Sequence, residues 1–197
     1  IKTSDVAKQA KKVISEEVTE NIEAYELLLK GKSLIDNTEE GIDSAIKLFK
    51  KAIMLDPTNI DLKVLQAQLY EQQAKFDKAN SVALTDKAKA GYQRVIAQNP
   101  DHFKANYNQG LMFYNEGVNK MNNMDEDDDD LFALMEIQDE CVDLFKQALP
   151  LMEKCQQLQP LNKDVLVSLS GIYFALNLAE KGNQVQQQIS ALEQKGK

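Results

Sequence analysis

The sequence predicts an all-α fold of stacked helical pairs, and three observations support this prediction. The first is a phrase that occurs three times: a small residue, a bulky residue four positions later and a proline eight positions after that. The copies are Ala45, Phe49 and Pro57; Ala88, Tyr92 and Pro100; and Ala148, Met152 and Pro160. The second is that a small residue follows ten positions after each proline, and an aromatic residue thirteen positions after it. The third is a content of only 8 glycines and 4 prolines in 197 residues, which leaves few tight turns for a β-fold. Such regular spacing is typical of repeated helical pairs.

Helical spacing of apolar residues begins near the first residue. Ser4 and Asp5 predict a helix start, and apolar residues follow at helical intervals. We assign residues 1–22 to an N-terminal helix, with Asn21 as a weak break, and residues 23–197 to a repeat domain. The predicted repeats are 24–57, 58–100, 101–160 and 161–193.

The first repeat is predicted to contain two helices with a turn at residues 37–41. An apolar series from Ile22 to Leu34 predicts the first helix, and the run Asn-Thr-Glu-Glu-Gly predicts the turn and the start of the second. The second helix should end before Asp56, because proline disfavours helical geometry in the residue that precedes it. Each repeated proline therefore marks a junction between units.

The repeated positions resemble the tetratricopeptide repeat, a 34-residue helix pair with a Leu-Gly and Tyr signature on its first helix and Ala-x3-Phe, then Pro, on its second. The matching residues are Gly31, Leu34, Ala45, Phe49, Ala52 and Pro57 in repeat one; Ala67, Tyr70, Ala88, Tyr92 and Pro100 in repeat two; and Gly110, Phe113, Ala148, Met152 and Pro160 in repeat three. A fourth repeat keeps Ser170, Tyr173 and Gly182, lacks the proline and is glutamine-rich, as expected of a cap. The resemblance implies a right-handed α-α superhelix, a solenoid of helix pairs.

Repeat three is longer than the pattern requires. We count from the proline that ends the preceding repeat to the small residue on the second helix, which is Ala88, Ala148 or Gly182. This distance is 31 residues in repeat two, 48 in repeat three and 22 in repeat four. Apolar stripes flank the acidic run at residues 125–130, one from Gly110 to Met124 and one from Leu131 to Met152. Two such stripes predict an elongated antiparallel helical hairpin, with about 20 Å added to each arm.

The acidic run, Asp125 to Asp130, supplies six of the negative charges behind a formal net charge of −8. A cation site is one interpretation, but the EF-hand pattern with its central glycine and distant glutamate is absent. We favour a solvated hairpin tip that leads into the first turn of the next helix, where carboxylates are stabilised. No metal is predicted.

The net negative charge of the chain and its single arginine, Arg94, argue against nucleic acid and other anionic partners.

No catalytic or cofactor site is predicted. His102 is the only histidine and is expected to be an exposed polar residue at a helix start, so multi-histidine metal sites are excluded. Cys141 and Cys155 are expected on one helix, about 21 Å apart, buried and unpaired. A glycine-rich phosphate loop is absent, since Gly110 and Gly117 fall inside a predicted helix, where we expect them to allow close packing. These features predict that the protein is not an enzyme and uses no cofactor.

The resemblance implies that the first helices of successive repeats line a groove for partner peptides. The candidate partner-binding residues, carried over by position, are Val64, Gln68, Glu71, Lys104, Tyr107, Leu111, Tyr114, Val167 and Phe174, flanked by Asp61, Asn115 and Asp164. Exposed aromatic and aliphatic residues of this kind mark interaction sites. The alternative is that Tyr107 and Tyr114 pack into the hairpin, or that a terminal helix covers the groove. The carboxylate clamp of chaperone-binding members is mostly missing, since Leu28 and Leu65 occupy two of its positions.

We therefore predict a non-catalytic scaffold that binds a protein or peptide partner through the groove, the hairpin or both. The alternatives are a structural homo-oligomer or cell-envelope assembly factor, and an auxiliary domain of a larger enzyme. No apolar run is long enough to predict a transmembrane segment. The chain begins at Ile1 rather than Met, so we expect a mature form or a fragment. The resemblance slightly favours the periplasm or cell envelope of a bacterium over the cytoplasm.

Overall fold

The computed structural model describes residues 21–35, 38–124 and 131–195, and all regular structure within these residues is α-helical. Most of the predicted N-terminal helix, Asn37 and the acidic run at 125–130 lie outside the described residues. The helices are α1 (Ile22–Ser33), α2 (Glu39–Leu55), α3 (Ile60–Phe76), α4 (Ser81–Gln98), α5 (Phe103–Asn122), α6 (Leu131–Leu158), α7 (Lys163–Ala175) and α8 (Ala179–Lys195). The predicted all-α repeat fold is confirmed. None of the described helices is long and apolar enough to cross a membrane.

The residue two positions after each repeated proline is the N-cap of the next helix. Asn59, His102 and Asn162 begin α3, α5 and α7, and the side chain of each accepts a hydrogen bond from the backbone N–H three residues later, at 3.0–3.2 Å. This bond satisfies one of the N–H groups that a helix start leaves without a partner. His102 is therefore a half-buried cap, and the prediction of an exposed polar residue was wrong.

The chain divides into two compact units, and unit 1 spans residues 1–97. Its core is formed mainly by α1, α2 and α3, with Phe49 of α2 fully buried against Gly31 of α1. A Cβ atom at Gly31 would overlap the Phe49 ring, so the absence of a side chain there is what lets the ring reach α1. The bulky residue of the repeated phrase thus fills the space left by a small residue on the first helix.

Unit 2 spans residues 98–197, and the predicted antiparallel hairpin of α5 and α6 is confirmed there. A Cβ atom at Gly117 would lie 2.9 Å from the nearest ring carbon of Phe145, and one at Gly110 would lie 3.2 Å from Met152. Both glycines therefore permit close approach of the two helices, as the sequence predicted. The Cys141 thiol lies 3.6 Å from the Gly117 carbonyl oxygen, which fixes the register of the two arms.

The two arms of the hairpin are extended unequally. The helix α5 has 20 residues and α6 has 28, against 13 in α7 and 17 in α8. At 1.5 Å per residue the additions are about 10 Å and about 16 Å, not about 20 Å in each arm. The far ends of the predicted apolar stripes are also exposed, at Met121, Leu131 and Met135.

Candidate protein-interaction surface

The first helices of the two hairpins in unit 2, α5 and α7, lie side by side. Tyr107 lies close enough to Asp164 for that carboxylate to affect its pKa, and the Tyr114 hydroxyl occupies the position that a Cβ atom of Gly171 would take. Both pairs are separated by 57 positions in the sequence. The two helices therefore run parallel and in register.

The exposed side of α7 is a single stripe with helical spacing. Asp164, Val167 and Phe174 are exposed along it, and Gly171 is half-buried. The opposite side of the helix packs in the core, so the stripe is the solvent-exposed face of α7. Val167 is 50% exposed and Phe174 is 46% exposed, so two large apolar side chains stand on this face.

The neighbouring face of α5 carries half-buried aromatic residues. Tyr107 stacks on Phe103 with ring centroids 5.8 Å apart, and Tyr114 contacts Phe145 at 5.9 Å. Leu111 lies between the two tyrosines in the sequence and packs against the same core. The tyrosines thus pack partly into the hairpin, as in the alternative that the sequence left open, and retain partial exposure.

We call the combined feature the first-helix surface of unit 2. It consists of Lys104, Tyr107, Leu111, Tyr114, Asp164, Val167, Gly171 and Phe174. Lys104 is exposed near the start of α5 and Asp164 near the start of α7, so the charged groups lie toward one end. The remaining positions are aromatic, aliphatic or glycine.

The phenol of Tyr107 stays protonated at neutral pH. Burial raises its pKa above the usual value of 10.0, and the nearby Asp164 carboxylate raises it further. The hydroxyl is therefore a neutral hydrogen-bond donor and acceptor. A face that combines apolar area with neutral hydroxyl groups suits a protein segment with apolar side chains and polar backbone groups.

The candidate residues of unit 1 have a different environment. Val64 is only 1% exposed and cannot contact a partner, so its placement on an accessible surface was wrong. It is buried because α3 is covered on two opposite sides: Leu62 and Leu69 belong to the core of unit 1, and Ala67, on the same side as Val64, packs against Gly91 of α4. Gln68 is half-buried, and the Glu71 carboxylate accepts a hydrogen bond of 3.2 Å from the Tyr92 hydroxyl.

The two thiols are held in the core of unit 2. Cys141 and Cys155 are buried and free on α6, as predicted. Burial raises the pKa of the Cys155 thiol to about 12 and also raises that of Cys141. Both thiols are therefore protonated and weakly nucleophilic at neutral pH. Within the described residues, no group of three or more His, Cys, Asp or Glu side chains is placed to hold a metal ion.

Comparisons with known proteins support the fold. No protein-family model and no curated protein matches the sequence. Among solved structures, MamA 41-end from Desulfovibrio magneticus RS-1 matches with a TM-score of 0.60 and 15% identity, over 88% of this chain and 77% of that chain. A crystal structure of MamA matches with a TM-score of 0.55 and 18% identity, over 100% of this chain and 97% of that chain. The chain therefore shares the all-α helical repeat fold of these structures.

Three residues that form or support exposed surfaces of unit 2 were not among the predicted site residues. Gly171 provides the space for the Tyr114 hydroxyl, and Phe103 supports Tyr107 by stacking. A glycine in the middle of a helix is a signal that could have identified Gly171, because glycine there lowers helix stability unless close packing requires it. Phe132 on α6 is 84% exposed and lies outside the helical spacing of the predicted apolar stripe.

Proposed function

We propose that the chain is a non-catalytic tetratricopeptide-type scaffold that binds a protein or peptide partner on the first-helix surface of unit 2. The observation that supports this most strongly is the exposed apolar stripe of α7 beside the half-buried tyrosines of α5. Val167 and Phe174 together expose a substantial apolar area, and its burial under a partner supplies binding energy at about 25 cal/mol per Å².

The surface has the composition of an interface centre rather than of an ordinary solvated face. Tyrosine and phenylalanine contribute large contact areas with few rotatable bonds, so little conformational entropy is lost on binding. Tyr107 and Tyr114 are already held by Phe103, Phe145 and the edge of α7. Their positions are therefore set before a partner arrives, which lowers the cost of association.

The charged residues at one end of the first-helix surface would fix the orientation of a bound partner segment. Lys104 and Asp164 lie close to the starts of two parallel helices. A partner segment with complementary charges at one of its ends would bind in one orientation, since opposite charges favour that arrangement and like charges oppose the reverse one. The apolar residues farther along the two helices would then contribute most of the affinity.

The non-catalytic part of the proposal is supported by the state of the reactive side chains. The side chain of His102 caps α5 through its Nδ1 atom, and the thiols of Cys141 and Cys155 are buried and protonated. A nucleophile needs an adjacent base within hydrogen-bond distance. The nearest acceptors of the two thiols are the backbone carbonyls of Gly117 and Phe103.

Photocrosslinking in the native cell tests the proposal. We expect a photoreactive amino acid at position 167 or 174 to capture a partner protein, because both positions are exposed on the first-helix surface. The same residue at position 184, on the glutamine-rich face of α8, and at position 82, exposed on α4, should capture little. Mass spectrometry identifies the captured protein.

Capture from positions 82 and 184 but not from 167 and 174 would contradict the proposed surface. Capture of a second copy of this chain would instead favour the homo-oligomer. Sedimentation at several concentrations checks that result independently, since a homo-oligomer dissociates on dilution and a monomeric scaffold does not.

A further inference from the structure

At the end of the α5–α6 hairpin, α6 extends beyond the end of α5. Two contacts set the register of the arms: Lys120 pairs with Glu140 at 2.6 Å, and the Cys141 thiol contacts the Gly117 carbonyl. The last residue of α5, Asn122, therefore lies level with about residue 138 of α6. The helix α6 begins seven residues before that level. At 1.5 Å per residue its first turns extend about 10 Å past the end of α5.

This extension of α6 exposes large apolar side chains. Leu131 is 66% exposed, Phe132 is 84% exposed and Met135 is 53% exposed. They share one side of the helix with Glu136 and Asp139, because residues three, four and seven to eight positions apart are neighbours on a helix surface. We call these five residues the hairpin-end patch.

The electrostatic environment of the patch is negative. The sequence has no Lys or Arg between Leu131 and Phe145. Four acids occupy exposed positions of α6 within this segment: Glu136, Asp139, Glu140 and Asp143. The two lysines on the neighbouring turns are paired with two of these acids, Lys120 with Glu140 at 2.6 Å and Lys146 with Asp143 at 3.2 Å. Glu136 and Asp139 therefore supply net negative charge beside the apolar side chains.

We propose that the hairpin-end patch docks a cationic amphipathic helix of a partner protein. Apolar residues of that helix would cover Leu131, Phe132 and Met135, while its Lys or Arg residues would face Glu136 and Asp139. The inference rests on the proposed scaffold function and specifies the chemistry of one partner segment. Helix-on-helix docking of this kind places apolar anchors at intervals of three and four residues, which the patch matches.

The negative charge of the hairpin-end patch favours a cationic partner over a second copy of the chain or an anionic membrane. A second copy that docks the same patch across a two-fold axis would place like charges against one another, because each subunit contributes the same residues. An anionic membrane surface would be repelled for the same reason. A cationic partner gains from both the apolar and the charged parts of the patch.

A designed peptide tests the inference on the full chain. The probe is an amphipathic helix of about 18 residues, or five turns, made of leucine and lysine, and the matched comparison peptide has glutamate in place of lysine. Each is titrated into the isotope-labelled protein and followed by NMR. We expect the lysine peptide to shift the amide signals of the first turns of α6 and the glutamate peptide to cause no such shifts.

Two variants separate specific docking from general attraction to an acidic protein. The double variant Leu131→Ser with Met135→Ser keeps the charge, and we expect it to raise the dissociation constant of the lysine peptide at least tenfold. Its control is Val82→Ser with Leu161→Ser, which removes two exposed apolar residues elsewhere and should change the dissociation constant little. The variant Glu136→Gln with Asp139→Asn should weaken binding severalfold and reduce its salt dependence. Glu39→Gln with Glu40→Gln, two exposed acids of α2, is its control.

Equal effects of the patch variants and their controls would overturn the inference, as would signal shifts outside α6 or comparable binding of the glutamate peptide. Concentration-dependent self-association that the Leu131→Ser, Met135→Ser variant abolishes would also overturn it and would identify a second copy as the occupant. If the lysine peptide fails but native partners crosslink at position 167, the scaffold function stands and only this inference fails.

Discussion

Replacing Phe145 with alanine should lower the free energy of unfolding of unit 2 by about 3–5 kcal/mol. Phe145 is 2% exposed, fills the space above Gly117 and contacts Tyr114. Its loss removes buried apolar area and leaves a cavity at the centre of the hairpin. Urea unfolding followed by circular dichroism measures the change.

The chain provides a matched control for this substitution. Phe132→Ala changes the same residue type on the same helix at a site that is 84% exposed, so it should alter the unfolding free energy by no more than about 0.5 kcal/mol. Similar losses for the two variants would contradict the assignment of Phe145 to the core. They would also contradict the register of the hairpin.

Placing a large side chain at position 31 and a small one at position 49 should show that the two positions are coupled in the free energy of unfolding. Gly31→Leu places a side chain where the Phe49 ring lies and should cost about 1–3 kcal/mol or more by overpacking. Phe49→Ala should cost about 3–5 kcal/mol, since the ring is fully buried. The double variant should be less destabilised than the sum of the two, by about 0.5–3 kcal/mol, because the leucine occupies space that the ring vacates. Equilibrium unfolding of the wild type, both single variants and the double variant measures this coupling.

Strict additivity of the two changes would indicate that the residues do not share one space. That result would remove the physical basis of the repeated phrase. The bulky residue of the phrase, on the second helix of a pair, packs where the first helix carries a glycine, at Gly31 with Phe49 and at Gly110 with Met152.

Features set by local chemistry were predictable from the sequence. The helix α2 ends at Leu55, immediately before Asp56 and Pro57, because proline restricts the backbone of the preceding residue. The glycines at positions 110 and 117 are sites of close approach, as their spacing in an apolar stripe indicated. The N-caps were missed, although Asn59 and Asn162 are residue types that favour this position.

Features that depend on packing between helices were not predictable in the same way. The repeat resemblance placed Val64 in the groove by position, yet α3 is buried on two opposite sides, and Val64 lies on one of them. The apolar stripe of α6 continues to Leu131, but α5 ends too early to cover that part. Burial thus depends on the length of the neighbouring helix as well as on the stripe itself.

Pro150 shows a further limit of rules based on single residues. Proline lacks the backbone N–H that an inner helix position donates, so this residue alone would predict a break, whereas the apolar stripe from Leu131 to Met152 predicted one helix. In the structure α6 is assigned as one helix across it, from Leu131 to Leu158. Packing of Ala148 and Met152 on either side, both fully buried, supports the helix across this position.

The dissociation constant of the captured partner tests the central claim most directly. Val167→Lys introduces a charge into the first-helix surface, and Val82→Lys makes the same change at a site of 75% exposure on α4. We expect Val167→Lys to raise the dissociation constant at least tenfold, equivalent to about 1.4 kcal/mol, with no change in the unfolding midpoint. The Val82→Lys variant should bind as the wild type does. Equal affinity of the two variants and the wild type would contradict the claim that this surface binds the partner.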